Sequence, residues 1–142
     1  MLFGRRCDGM RSSTCVLLVE EDGDLLEWMT EVLGPRYDVT PCRSGRRALA
    51  LLESGTRVDL LITAYRLPEM TGCQLHERVA RIDLILALST LLIVGGGLSP
   101  EDERYVEGAR IRLLHQPFRP ERLREEVRAL AFGADRFPLP VR

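Results

Sequence analysis

The stretch that decides the fold is Asp59-Leu-Leu-Ile-Thr-Ala-Tyr-Arg-Leu-Pro-Glu-Met-Thr-Gly72, near the middle of the chain. It contains Leu60-Leu-Ile62, a short apolar run of the kind found in a parallel strand covered on both faces. Beyond it, Leu75, Val79 and Ile82 recur at helical spacing. The stretch therefore predicts a buried strand, a turn and then an amphipathic helix that begins near Gly72.

The same alternation extends to both sides of this stretch. Further apolar runs predict strands at 16–19, 37–40, 91–94 and 111–114. Helical spacing predicts helices near 25–33, 48–52 and 120–132, and Ser99-Pro100 predicts the start of one more through an N-cap serine and a first-turn proline. Five strands alternating with five helices predict an α/β fold, a doubly wound five-stranded parallel sheet.

The domain organisation follows from length and composition. The 142 residues, 45% hydrophobic and 29% charged, suffice for one core and are too few for two comfortable domains. We predict an N-terminal leader at 1–13, one domain at 14–132 and a C-terminal tail at 133–142. Because only about ten residues follow the last predicted helix, no output domain is expected.

Charge and hydropathy exclude several classes of function. A formal net charge of -1 gives no electrostatic case for nucleic acid. The longest apolar run, 82–94, contains Asp83 and falls short of the ~20 residues of a membrane helix. No apolar segment of a signal peptide follows the first arginines. We predict a cytoplasmic protein that contacts neither membrane nor nucleic acid, with its four cysteines as free thiols.

Three motifs in the right order carry a resemblance to a known family. They are Leu-Leu-Val-Glu-Glu-Asp22 after the first strand, Asp59 to Pro68 with Met70 and Gly72 around the third, and Gln-Pro-Phe118 after the fifth. From residue 15 to about 132 the chain resembles the CheY-like receiver domain of two-component response regulators. The resemblance implies the flavodoxin-like fold, in which ligands bind at the carboxyl ends of the strands.

The resemblance also implies which residues lie at the phosphorylation site. In the family, two acidic residues after the first strand and an aspartate at the end of the third hold Mg²⁺, and that aspartate accepts the phosphoryl group. Glu20 and Glu21 match the acidic pair, whereas Ala64 stands at the phosphoacceptor position. A methyl group can neither attack phosphorus nor ligate a metal. We therefore expect a degenerate pseudo-receiver that is not an enzyme, needs no cofactor and binds magnesium weakly or not at all.

Three further positions depart from the family pattern. Gly95 stands where the family has a hydroxyl residue, Leu113 where it has a switching aromatic residue, and Gln116 where it has a lysine. An engineered Asp-to-Ala change at position 64 would account for one loss and leave the other three residues in place. The combined loss favours natural divergence. The resemblance further implies that the bond between Gln116 and Pro117 is cis.

The face made by the fourth helix, the fifth strand and the fifth helix is a first candidate interaction surface, because the family uses it for dimerisation and partner docking. The fourth helix is acidic and the fifth is basic, so a homodimer could pair them. An ordinary solvated charge pattern is the alternative. The residues concerned are Glu101, Glu103, Glu107, Arg119, Arg122 and Arg124.

The apolar segment between the third helix and the fourth strand, Ile82-Asp-Leu-Ile-Leu-Ala-Leu88, is a second candidate surface. If the third helix simply extends, part of its apolar surface is exposed and suggests a partner site at Ile82, Ile85 and Leu86. Burial of this segment against the N-terminal leader is the alternative.

These observations favour a non-phosphorylatable pseudo-receiver that acts as a protein–protein interaction module in bacterial signal transduction or regulation, bound to another signalling or regulatory protein. Two alternatives stay open at this point. One is a phosphotransfer receiver inactivated only by its substitution at Ala64. The other is a protein that binds a small effector in the former phosphate pocket, where Gly95 and Ala64 would make space. The sequence does not identify the partner, the pathway or the oligomeric state.

Overall fold

The computed structural model describes residues 13–136. Within them, strands and helices alternate in the order β1 (Cys15–Val19), α1 (Gly23–Leu33), β2 (Asp38–Cys42), α2 (Gly45–Glu53), β3 (Leu60–Ala64), α3 (Gly72–Ile82), α4 (Leu84–Ala87), β4 (Thr90–Val94), α5 (Pro100–Ala109), β5 (Arg112–His115) and α6 (Pro120–Arg136). The strands form one parallel sheet in the order β2-β1-β3-β4-β5. The predicted doubly wound, flavodoxin-like α/β fold is confirmed.

The apolar runs form the centre of the sheet. Every residue of β1, β3 and β4 is buried, as expected for strands covered on both faces. Helices α1 and α6 cover one face, where Met29, Leu33, Leu123 and Val127 pack into the core. Helices α2, α3 and α4 cover the other face, and α5 closes it beside β4 and β5. The sheet is thereby shielded, and its carboxyl edge carries the polar residues.

The structure has one more helix than the five predicted, because the third helix does not extend. Helix α3 ends at Ile82, and Asp83 adopts an extended backbone conformation (φ -151°, ψ 96°). The Asp83 carboxylate then accepts a hydrogen bond from the Leu86 backbone N–H at 3.1 Å and caps the short helix α4. An N-cap aspartate in the middle of an apolar run restarts the chain in a new direction.

Because α4 runs in a new direction, one residue that was predicted to lie on the surface is buried. Leu86 is only 1% exposed and packs in the core, so its prediction as a surface residue is wrong. Ile82 and Ile85 are exposed as predicted, at 42% and 63%. Leu84 and Leu88, which were not singled out, are exposed as well. We call Ile82, Leu84, Ile85 and Leu88 the α4 patch.

The end of the last helix and the state of one cysteine also differ from expectation. Helix α6 continues through Arg136, beyond the predicted end at residue 132. The predicted leader, apart from residue 13, and the residues after Arg136 lie outside the described residues.

Cys42 and Cys73 are free and buried, but Cys15 is disulfide-bonded, so the prediction of free thiols is wrong for Cys15. Sequence spacing does not reveal which sulfur atoms approach each other in space.

The start of α3 shows why the quoted stretch needs its final glycine. A Cβ atom on Gly72 would lie 2.5 Å from the Ala64 carbonyl oxygen and 2.5 Å from a methyl carbon of Leu92. The absence of a side chain lets α3 begin directly against the ends of β3 and β4. The Thr71 hydroxyl and the Gln74 side chain form a capping box at the same helix start.

In the part of the chain that the structure describes, no helix has the length and apolar character of a membrane span.

Candidate functional site at the carboxyl edge of the sheet

The parallel strands bring the sequence-predicted site residues to one edge. Val19 pairs with Thr63, Ala64 with Ile93, and Val94 with His115. Ala64 ends β3, while Glu20, Gly95 and Gln116 directly follow β1, β4 and β5. Because strands of one direction end at one edge, these four positions lie around the same carboxyl edge.

Ala64 contributes only a methyl group to this edge. Its side chain belongs to the core on the face covered by α2 and α3, and the residue is 7% exposed. The neighbouring Thr63 is fully buried, and its hydroxyl donates to the Ala64 carbonyl oxygen at 3.0 Å. Neither residue presents a nucleophilic group to solvent.

The acidic residues after β1 are engaged by the chain itself. Glu20 is buried, and its carboxylate accepts the Asp22 backbone N–H at 2.9 Å. Burial raises the pKa of the Glu20 carboxyl group above its ordinary value, because desolvation disfavours the charged form. Asp22 caps α1 by accepting the backbone N–H groups of Asp24 and Leu25. These two carboxylates therefore hold the β1–α1 turn.

Glu21 contributes to this edge through its backbone, and its side chain is exposed. Its backbone carbonyl oxygen accepts two hydrogen bonds from the Arg43 guanidinium group, at 3.0 and 2.6 Å. No sequence pattern predicted this contact, since the two residues are 22 positions apart. Across residues 13–136 no cluster of three or more His, Cys, Asp or Glu side chains has the arrangement of a metal site.

The Gln116 side chain occupies space that Gly95 leaves free because it has no Cβ atom. The Gln116 backbone N–H donates to the Val94 carbonyl oxygen at 2.9 Å, which continues the β4–β5 ladder. A Cβ atom on Gly95 would lie 2.6 Å from the Gln116 side-chain oxygen. The Gln116 amide thus lies over the bare backbone of Gly95, in the space that a larger residue there would fill. The bond between Gln116 and Pro117 is cis, as predicted.

Leu113 lies one strand away from Gly95 on β5. It is half-buried, is the ladder partner of Leu92, and packs against the cluster that contains Tyr65 and Val106. Its side chain therefore serves as a packing residue beneath α5 in this structure.

One contact at this edge was not found by sequence reasoning. The Tyr65 hydroxyl donates a hydrogen bond to the Asp102 carboxylate in the first turn of α5. Tyr65 is buried, and the bond to Asp102 is the main reason that its pKa is raised. The sequence indicated Asp102 only as a favourable charge for the helix dipole. The bond ties the end of β3 to the start of α5 across 37 residues of chain.

His76 is a satisfied buried side chain. Its Nε2 atom lies 2.9 Å from the Ala87 carbonyl oxygen, and its Nδ1 atom lies 2.7 Å from the Tyr105 hydroxyl oxygen. A carbonyl oxygen only accepts, so Nε2 carries the proton and Nδ1 accepts from Tyr105. Burial lowers the pKa of the imidazole. His76 therefore joins α3, the end of α4 and α5 in its neutral form.

The arginines that were predicted to form one basic face of the last helix line two separate grooves. Arg119 and Arg122 line a groove of about 680 Å³ with Leu113, Pro117 and Phe118, which we call the β5–α6 groove. Arg124 lines a different groove, beside α1. Residues two positions apart lie about 200° apart around a helix, so the grouping of Arg124 with Arg122 is wrong.

The arginines of α6 and the glutamates of α5 that were predicted to form one interaction surface have different surroundings. Arg122 forms ion pairs with Glu125 at 3.7 Å and Glu126 at 3.1 Å, and Glu126 also pairs with Arg112 at 2.9 Å. The predicted acids of α5, which are Glu101, Glu103 and Glu107, are exposed.

Comparisons with known proteins agree with this geometry. Over 85 residues the chain is 33% identical to the two-component response regulator ORR11 of rice (Oryza sativa), covering 60% of this chain and 58% of that protein. It is 32% identical over 100 residues to the cyclic di-GMP phosphodiesterase response regulator RpfG of Xanthomonas campestris, covering 70% of this chain and 26% of that one. The chain thus matches somewhat under three fifths of the rice regulator's length.

Solved structures show the same fold. The signal receiver domain of an HD domain-containing protein from Pseudomonas fluorescens superposes with a TM-score of 0.78 at 25% identity, over 87% of this chain and 98% of that one. A CheY-like receiver domain protein from Methanospirillum hungatei superposes with a TM-score of 0.80 at 20% identity, over 88% and 98%. The family model of the response regulator receiver domain matches residues 16–128. The chain belongs to the response regulator receiver domain family.

Proposed function

We propose that this receiver domain is a non-phosphorylatable pseudo-receiver that acts as a protein–protein interaction module in bacterial signal transduction or regulation. It binds another signalling or regulatory protein through its surface and transfers no phosphoryl group. The cytoplasmic location stays a prediction.

The observation that carries the proposal is the joint replacement at the carboxyl edge. Ala64 supplies no nucleophile, and Gln116 supplies no positive charge. The Gln116 amide occupies the space beside Gly95, where a side chain at position 95 would otherwise lie. A phosphoryl group carries negative charge that needs cationic or metal stabilisation, and neither Ala64 nor Gln116 can supply it.

The acidic residues also fit magnesium poorly. Mg²⁺ requires near-octahedral oxygen ligation, usually with one or two carboxylates and several waters. Glu20 is buried with a raised pKa and already accepts the Asp22 N–H, while Asp22 caps α1. With a methyl group at Ala64, Glu21 is left as the exposed member of the matched acidic pair. We therefore propose no step that involves a metal ion.

Two surfaces support the docking role. The β5–α6 groove combines apolar walls at Leu113 and Phe118 with the guanidinium groups of Arg119 and Arg122. The α4 patch places four large apolar side chains on the surface within seven residues of sequence. Exposed apolar groups clustered in this way are typical of contact sites. A homodimer through α5, β5 and α6 is one form that such contacts could take.

The two alternatives are less well supported. A receiver inactivated only at Ala64 would keep a space for phosphate beside Gly95, yet the Gln116 side chain fills that space. The same overlap works against a small effector in the former phosphate pocket. Both alternatives require Gln116 to move away from Gly95.

The experiment that tests the proposal is phosphorylation by acetyl phosphate with Mg²⁺, read by intact-protein mass spectrometry. We expect no phosphoryl adduct on the natural chain and none on the Ala64→Asp variant. The triple variant Ala64→Asp, Gly95→Ser, Gln116→Lys is the control for a rebuilt site. Robust phosphorylation of the single variant would support the phosphotransfer alternative and contradict the pseudo-receiver.

A further inference from the structure

A second groove lies on the opposite side of α6 from the β5–α6 groove. It runs between the C-terminal end of α1 and the last described turns of α6, with a cavity volume of about 510 Å³. We call it the α1–α6 groove and define it by Val32, Arg36, Tyr37, Arg124, Arg128 and Phe132. None of these residues lies at the carboxyl edge.

The charges of this groove are unbalanced. Three guanidinium groups line it, from Arg36, Arg124 and Arg128, against one carboxylate, from Glu31. Among residues 13–136, none of these three arginines forms an ion pair. Arg124 and Arg128 are four positions apart on α6, so their like charges repel by a few tenths of a kcal/mol.

The arginines on the other side of α6 are paired with carboxylates, and this contrast makes the charge imbalance of the α1–α6 groove informative. There, Arg122 and Arg112 share the carboxylate of Glu126, and Arg122 also reaches Glu125. Among the side chains that the structure describes, α6 therefore supplies carboxylates to the arginines on one side only. Within this part of the chain, the arginines of the α1–α6 groove keep their hydrogen-bond donors available to an outside acceptor.

The groove also has an apolar component. Val32 and Tyr37 are half-buried against the core, and Phe132 is 56% exposed at the rim. An aromatic side chain beside arginines is the composition that dominates binding energy at protein interfaces. A bare inorganic anion would use the arginines and leave Phe132 in water. A peptide segment can use both.

We infer that the α1–α6 groove docks an acidic segment of a partner protein, in which carboxylates flank a large apolar side chain. Charge complementarity selects the carboxylates, because guanidinium groups bind them in a bidentate geometry. Val32, Tyr37 and Phe132 contact the apolar side chain. The inference rests on the proposed interaction function and gives it a partner chemistry and a surface that the family resemblance did not indicate.

The test is fluorescence anisotropy with a labelled synthetic peptide in which two aspartates and two glutamates flank a Leu-Phe pair. A control peptide replaces each acid by its amide. The binding variant is Arg124→Glu, Arg128→Glu. Its matched control is Arg78→Glu, Arg104→Glu, which changes the net charge equally at exposed positions of α3 and α5.

We expect the acidic peptide to bind the natural chain and the matched control alike, and the groove variant to bind on the order of tenfold more weakly. The amide peptide should bind no better than the groove variant does. Phe132→Ser should weaken binding while leaving its dependence on salt unchanged, because it removes no charge.

Four outcomes overturn the inference. They are no binding of the acidic peptide, equal losses in the two charge-reversed variants, tighter binding of a single-stranded oligonucleotide than of the peptide, and self-association in sedimentation that the groove variant abolishes without any peptide binding. These measurements involve no phosphorylation. A phosphorylated natural chain would therefore contradict the proposed function without deciding whether this groove binds the peptide.

Discussion

The carboxyl edge and the α4 patch reverse the usual distribution of polar and apolar groups. At the carboxyl edge, the side chains of Glu20 and Tyr65 are buried and bonded within the chain. At the α4 patch, large apolar side chains such as Ile85 face solvent. The comparison teaches that polar side chains at the carboxyl edge can serve structure by bonding within the chain. The surface available for contacts lies elsewhere.

The sharpest test of this comparison uses two neighbouring residues of α4. Leu86→Ala should lower the free energy of unfolding by about 2–5 kcal/mol, because it leaves a cavity in the core. Ile85→Ala should change it by no more than about 0.5 kcal/mol, since Ile85 is 63% exposed. Urea unfolding followed by circular dichroism measures both. Equal losses would show that the α4 patch is part of the core.

A smaller effect is expected at the carboxyl edge. Tyr65→Phe removes the hydroxyl that donates to Asp102 and should cost about 0.5–1.5 kcal/mol of unfolding free energy. Amide hydrogen exchange at the first turn of α5 should speed up in the same variant. Tyr37→Phe is the matched control, and it should leave α5 unchanged. Unaltered exchange in Tyr65→Phe would contradict a role for this bond in holding α5.

The smallest effect concerns pH and the buried His76, which joins α3, the end of α4 and α5. Burial holds the pKa of His76 in the folded protein below its ordinary value of 6.5, so the unfolded chain takes up the proton first. The neutral imidazole therefore stabilises the fold above about pH 6.5, and this stability is lost as the pH falls below that value. The loss cannot exceed about 1.4 kcal/mol per pH unit for one proton.

His76→Gln isolates this contribution, because a glutamine amide can still donate to the Ala87 carbonyl oxygen but does not titrate. We expect the natural chain to lose more stability than the variant between pH 7 and pH 5, measured by urea unfolding. His115→Gln is the control at an exposed position. Parallel pH profiles for the natural chain and His76→Gln would show that His76 does not titrate on folding.

Much of the fold could be predicted because its signals are local. The apolar runs at β1, β3 and β4 predicted strands buried on both faces, and Ser99-Pro100 predicted the start of α5. The motifs after β1, β3 and β5 indicated the receiver family, and their order along the chain placed the candidate residues at one edge. The extra helix was missed because the apolar run after Ile82 favoured a simple extension of the third helix, whereas Asp83 acts as an N-cap.

The candidate site was less predictable, because its contacts join residues that are far apart in sequence. The sequence showed that Ala64, Gly95 and Gln116 lack the family's side chains, but not that the Gln116 amide lies over Gly95. It showed a tyrosine after β3 and an acid in α5, but not the bond between them.

The sequence by itself determined the alternation of strands and helices and their apolar faces, since residue type and spacing within one element decide these properties. Only the tertiary structure decided that Leu86 is buried beside an exposed Ile85, and that among the described side chains Arg122 is paired whereas Arg124 is not. The reason is physical. Burial and ion pairing depend on which other elements pack against a residue, and that packing is set by contacts across the whole sheet.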